Sequence, residues 1–160
     1  MGEVSAGAPS TQRLPGRALG VDLGSVRIGI ALSDPSRIVA SPHAVLRRSR
    51  SDHAADHRAI AEMAGAEAVT TIVVGLPLSL SGASGPAARA AVAEIEELRS
   101  TVGAEVEVVA HDERLTTVTA ERSLGAARMS RTRRREVVDK VAAAVMLQSW
   151  LDRPGSESRR

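Results

Sequence analysis

The chain has 160 residues, is 43% hydrophobic and carries a formal charge of only +2; a chain of this length has one domain's worth of core, since ~150 residues bury ~70% of their unfolded surface. It holds no cysteine and a single aromatic residue, Trp150, which excludes disulfides and thiolate metal sites and leaves Ala, Val, Leu and Ile to fill the core. No apolar run reaches the ~18 residues of a membrane-spanning helix, and the lack of cysteine fits a reducing cytoplasm.

In chain order, residues 1–16 are small, polar and punctuated by Gly and Pro, and are expected to form a disordered tail. The C-terminal "DRPGSESRR", 152–160, reads likewise, so the folded domain is expected over 17–151. "GVDLGSVRIGIALSD", 20–34, alternates apolar and small or polar residues on both sides of a short turn, which predicts strands over 18–24 and 27–33. A third strand is expected over 38–46, a helix over 52–65 and a strand over 70–76. "TTIVVGLP" there is continuously apolar, as for a strand covered on both faces. A helix over 86–101, a strand over 105–111 and helices over 116–127 and 134–151 complete the pattern. An antiparallel meander followed by alternating strands and helices implies an α/β layered sheet. The Gly- and Ser-rich loop 78–86 follows the 70–76 strand, at the end where open α/β sheets collect ligands.

Three acids stand out. Asp22 sits inside an apolar strand, where an unpaired carboxylate is costly to bury; Gly20 and Gly24 are expected to leave room beside it for a cation. In "VEVVAHDERLTT", His111, Asp112 and Glu113 lie at a strand's carboxyl end. Asp112 and Glu113 point to opposite faces, and spacing does not choose between them. Asp139, in "RTRRREVVDKVAAAVMLQSWL", shares a helical face with Ala142, Ala143 and Met146. Taken alone, Asp139 also reads as an acid complementing the dipole in an early helical turn. Carboxylates without His or Cys partners suit hard Mg²⁺ or Mn²⁺, and two such ions ~3.5–4 Å apart promote phosphodiester cleavage. Twenty of the 21 basic residues are Arg, which suits phosphate, though a GC-rich genome gives the same bias. "RTRRR", 131–135, leads into the helix of Asp139. With no aromatic residue nearby for base stacking, binding is expected at the nucleic-acid backbone. His53 and His57 are spaced i, i+4 and read as an exposed helix face. "GLPLSLSG" lacks the Gly-Lys-Ser/Thr ending of a Walker loop.

"ALGVDLGSVRIGIALSD", "IVVGLPLSLSG", "DERLTT" and "VVDKVAAAVMLQSWLD", in this order, resemble the YqgF/RuvX family of RNase H-like proteins, described as pre-16S rRNA nucleases and as Holliday junction resolvases. The resemblance covers residues 18–152. It implies a five-stranded mixed sheet of order 3-2-1-4-5 flanked by helices. It also implies that Asp22, Glu113 and Asp139 are catalytic acids binding Mg²⁺ or Mn²⁺, and so chooses Glu113 over Asp112. The nucleic-acid ligands expected around them are Arg27, Arg114, Arg128, Arg131, Arg133, Arg134, Arg135 and Lys140. The chain departs from the family pattern at Val26, where Lys is usual, and at Ser79 and Ser81, where Asn and Asp are usual. The implied activity is a metal-dependent endonuclease on structured nucleic acid, 5′-end processing of pre-16S rRNA in ribosome biogenesis. The alternatives are a resolvase of branched DNA, which needs a homodimer to cut two strands symmetrically, and a non-catalytic nucleic-acid-binding module. The hairpin also resembles that of actin-like ATPases, but a chain of this length has no room for their second lobe.

Overall fold

The alternating runs on either side of Gly24 pair with each other. In the computed structural model, which describes residues 16–76, 85–112 and 130–154, β1 (Arg17–Leu23) and β2 (Arg27–Ser33) are antiparallel with Asp22 opposite Gly29. β3 (Ala40–Arg47) extends the meander beyond β2. β4 (Val69–Leu76) runs parallel to β1, and β5 (Glu107–Asp112) parallel to β4. The order is β3-β2-β1-β4-β5, the one the family resemblance implies. Among the described residues the helices are α1 (His53–Ala66), α2 (Pro86–Val102) and α3 (Arg131–Leu151). The helix expected over 116–127, the loop at 77–84 and residues 1–15 and 155–160 of the expected tails lie outside the described residues.

Local chemistry sets the boundaries. Asp52 caps α1, its carboxylate accepting the Ala55 N–H at 3.0 Å. Pro86 opens α2, where its missing N–H is harmless, and Gly103, at φ +80°, ends it. β3 starts two residues later than the spacing predicts because Asp34 claims the donors before it. The Asp34 carboxylate accepts the N–H groups of Ser36, Ile38 and Val39 at 3.2, 2.7 and 2.8 Å. Conversely, α3 starts three residues early. Ser130 caps it, its Oγ accepting the Arg133 N–H at 3.3 Å, so "RTRRR" is the first turn and a half of the helix rather than a lead-in.

Period two divides the sheet's side chains between two layers. Leu19, Val21, Ile28, Ile30, Ile72, Val74 and Val108 pack with Ile60 and Ala64 of α1 and Ile95 and Leu98 of α2. The opposite face carries Ala18, Ala31 and Val73 against Ala143, Met146, Leu147 and Trp150 of α3. Small residues dominate this second face because α3 lies almost on the backbone. A Cβ on Gly20 would meet Leu147 Cβ at 2.8 Å, and one on Gly29 would run into the Asp139 carbonyl oxygen.

Candidate active site

Asp22 lies near the end of β1. Alternation with Ala18 and Gly20 puts it on the α3 side of the sheet, half-buried. Asp139 is eight residues past the start of α3, beyond its second turn, so the dipole explanation fails; the first turn carries no acid at all. Its carbonyl oxygen lies against Gly29, the cross-strand partner of Asp22. The glycine contact therefore brings the α3 backbone at Asp139 onto the strand next to Asp22, and the two acids share one face at one end of the sheet.

The room beside Asp22 does not come from Gly20 and Gly24 as expected. Gly20 is filled by Leu147 and by the Ala143 carbonyl, and a side chain on Gly24 would strike the Arg27 carbonyl. Gly29 supplies the close approach instead, and what it admits is protein backbone.

Arg27 ties the arrangement together. Its Nε lies 2.5 Å from Asp139 Oδ2, with the two side chains 22% and 31% exposed. A guanidinium thus supplies the positive charge next to this carboxylate. Arg131, Arg133, Arg134 and Arg135 are exposed on the first turns of α3, and Lys140 follows Asp139 half-buried. Basic residues at a helix N-terminus oppose the macrodipole, so their placement is not explained by helix stability. Glu113, Arg114 and Arg128 lie outside the described residues, and among the described residues no group of three acids or histidines is placed to hold a metal. β5 nevertheless narrows the choice of acid. His111 faces α3, its Nε2 being 3.2 Å from Ser149 Oγ, so Asp112 is directed to the opposite layer. Burial, with help from the Arg153 guanidinium, holds the His111 imidazole below its usual range against the pull of Asp112.

Two features escape the sequence reading. Arg47 is the direct cross-strand partner of Arg27, a relation visible only once the β2–β3 register is known. His57, expected on an exposed face, is 2% exposed. It turns inward because Glu94 of α2 meets its Nε2 at 3.1 Å, while His53 stays exposed.

A family profile described as RuvX, Holliday junction resolvase, matches residues 16–153. The chain belongs to the RuvX family. A relative from Mycobacterium leprae (strain Br4923), named "Putative pre-16S rRNA nuclease", is 48% identical over 138 residues, covering 86% of this chain and 73% of its own. One of the same name from Myxococcus xanthus (strain DK1622) is 44% identical over 136 residues, 85% and 87% of the two chains. The RuvX chain's fold is RNase H-like. T. thermophilus RuvC, solved in complex with Holliday junction substrate, superposes with a TM-score of 0.52 at 15% identity, covering 88% of this chain and 97% of that one.

Proposed function

We propose that this chain is a divalent-metal-dependent endonuclease that hydrolyses phosphodiester bonds in structured nucleic acid, and that its physiological reaction is 5′-end processing of pre-16S rRNA in the cytoplasm. The observation that carries the reading is the convergence of Asp22 and Asp139, from β1 and α3, through the Gly29 contact. Glu113 is assigned as the third acid by the family resemblance, and the direction of Asp112 into the other layer agrees with that choice.

The donor set fits Mg²⁺ or Mn²⁺: carboxylate oxygens from Asp22 and Asp139, with no thiolate anywhere in the chain. Bound there, such an ion supplies an activated water and stabilises charge on the leaving oxygen. The chain's own residues do the positioning. Asp22 and Asp139 are fixed by backbone packing of sheet on helix. Arg27 balances Asp139 and lies within reach of substrate phosphate, and the arginines of the first turns of α3 offer bidentate donors to the strand backbone. The name shared by the relatives favours RNA as the substrate. The family description favours a second reading, resolution of branched DNA, which would need a homodimer to cut two strands symmetrically.

The test is cleavage of a pre-16S rRNA fragment and of a four-way DNA junction in Mg²⁺ and Mn²⁺. Metal-dependent cuts near the 16S 5′ end, lost in Asp22→Asn and Asp139→Asn, are expected. Symmetric cutting of the junction alone favours the resolvase, and no metal-dependent cutting of either substrate removes the nuclease assignment.

A further inference from the structure

Arg27 borders a second feature beside the two acids. A cavity of about 250 Å³ opens between the β1–β2 turn, the end of β3 and the start of α3, lined by Val26, Arg27, Val45, Arg47, Thr132 and Glu136. Its volume falls just under the ~300–1,000 Å³ of small-molecule pockets.

Its charge is arranged at a cost to the fold. Arg27 and Arg47 are directly opposed across β2 and β3, and like charges so placed destabilise a sheet. Asp139 compensates Arg27, whereas Arg47 is exposed and has no ion-pair partner among the described residues. Beside it Val26 is 52% exposed, and Val45 continues that apolar wall. A cation with no ion-pair partner of its own among the described residues, next to an apolar wall and a few residues from two converging acids, suits a sugar–phosphate unit. Glu136 disfavours a doubly charged free phosphate and leaves room for the single charge of a diester.

We propose that this cavity is a subsite for the nucleotide flanking the scissile phosphate, with Arg47 binding its backbone phosphate and Val26 and Val45 packing against its sugar. The inference rests on the nuclease reading and adds a specificity-determining pocket to it.

The test is equilibrium binding, without divalent metal, of an RNA duplex and of a four-way DNA junction at several salt concentrations. Each phosphate contact contributes ~0.9 to the slope of log K against log salt on a B-DNA duplex. Arg47→Ala is expected to weaken binding at every salt and flatten the slope by about that amount, and Arg47→Lys to restore it. Val26→Lys is expected to steepen the slope by up to ~0.9, because it adds a cation to the same wall. Millimolar inorganic phosphate at constant ionic strength is expected not to compete. Thermal unfolding of Arg47→Ala should match or exceed wild type, since a like-charge neighbour is removed; a loss of binding that tracks a loss of fold would overturn the assignment. Unchanged affinity and slope in Arg47→Ala, with steep wild-type binding, overturn the subsite and leave the nuclease reading standing. Absence of salt-dependent binding in wild type overturns that reading itself.

Discussion

Among single residues, Asp22 and Asp139 carry no structural duty that an amide would fail. Neither caps a helix, and the Arg27–Asp139 pair is part-exposed, so it is worth only ~0.5–1 kcal/mol. A ligand that binds only the folded state raises stability by RT ln(1 + [L]/Kd), ~2.7 kcal/mol at 100-fold over Kd. Mn²⁺ is therefore expected to raise the melting temperature of wild type and to leave Asp22→Asn unmoved in the same calorimetric titration. An equal shift in both proteins would take Asp22 out of the metal site. Asp34 shows the contrasting case of an acid with a structural duty. Burial pushes its carboxyl upward, but the N–H groups of Val39, Ile38 and Ser36 outweigh this and hold it below its ordinary 3.8. A carboxylate whose pKa is depressed on folding stabilises the fold fully above that ordinary value and loses the contribution as pH falls through the folded one. Asp34→Ala should thus cost ~1 kcal/mol at neutral pH, below the ~1.5–3 kcal/mol typical of hydrogen bonds to charge because the carboxylate is only part-buried. The difference from wild type should shrink in urea unfolding below pH 3.8; a difference independent of pH would assign the effect to the turn backbone instead.

At the level of elements, α3 carries the site, and what fixes it is a contact between backbones. The spacing of Asp139, Ala142, Ala143 and Met146 predicts the buried face of α3 correctly. It does not predict that Gly29 is where the helix meets the sheet, because that relation joins residues 110 apart in sequence, and an isolated glycine in a strand does not name its neighbour. Gly29→Ala would place a Cβ on the Asp139 carbonyl oxygen. Overpacking typically costs ~1–3 kcal/mol when side chains can yield, and backbone yields less. The expected outcome is at least that destabilisation, together with loss of Mn²⁺ binding as α3 is displaced. Wild-type metal affinity in a folded Gly29→Ala protein would show that the acids do not depend on this contact. The first turns of α3 give an opposite sign. Arg131, Arg133, Arg134 and Arg135 oppose the helix dipole, each by ~0.3–1 kcal/mol at low salt. Changing Arg131 and Arg135 to Ala should therefore raise stability while weakening nucleic-acid binding and flattening its salt slope by up to ~2. A solvated run unconnected to substrate would leave affinity and slope where they were.

On the scale of the whole molecule, the sheet has one face for α1 and α2 and one for α3, and the hydrophobic pattern made that division readable strand by strand. The strand order came from the family resemblance, since periodicity does not specify which strands are neighbours. What neither source supplied is the charged cluster inside the α1–α2 layer. Arg48 follows β3, 9% exposed, and its Nη2 lies 2.5 Å from Glu94 Oε2, while its Nε is 3.8 Å from Asp56. Glu94 also meets His57, and Asp56 accepts the Ser49 N–H at 3.1 Å. On a helical wheel Asp56, His57 and Glu94 are ordinary polar residues, and only the crossing of α1 over α2 turns them inward. The cluster is linked to the active site through backbone, because the Arg48 N–H bonds the Val26 carbonyl at 2.9 Å in the turn between Asp22 and Arg27. Arg48 Nη1 is buried with no hydrogen-bond partner among the described residues, so the guanidinium depends heavily on Glu94. Removing one member of a buried ion pair costs ~3–5 kcal/mol, because the survivor keeps its charge without compensation, whereas replacing both by apolar residues is often near neutral. Glu94→Gln is accordingly expected to lose ~3 kcal/mol in chemical unfolding, the low end because Gln still accepts one hydrogen bond. Arg48→Met combined with Glu94→Leu should recover most of it. A double variant as unstable as the single one would mean that the cluster fixes the α1–α2 packing by its geometry, and that the charges cannot be exchanged for apolar contact.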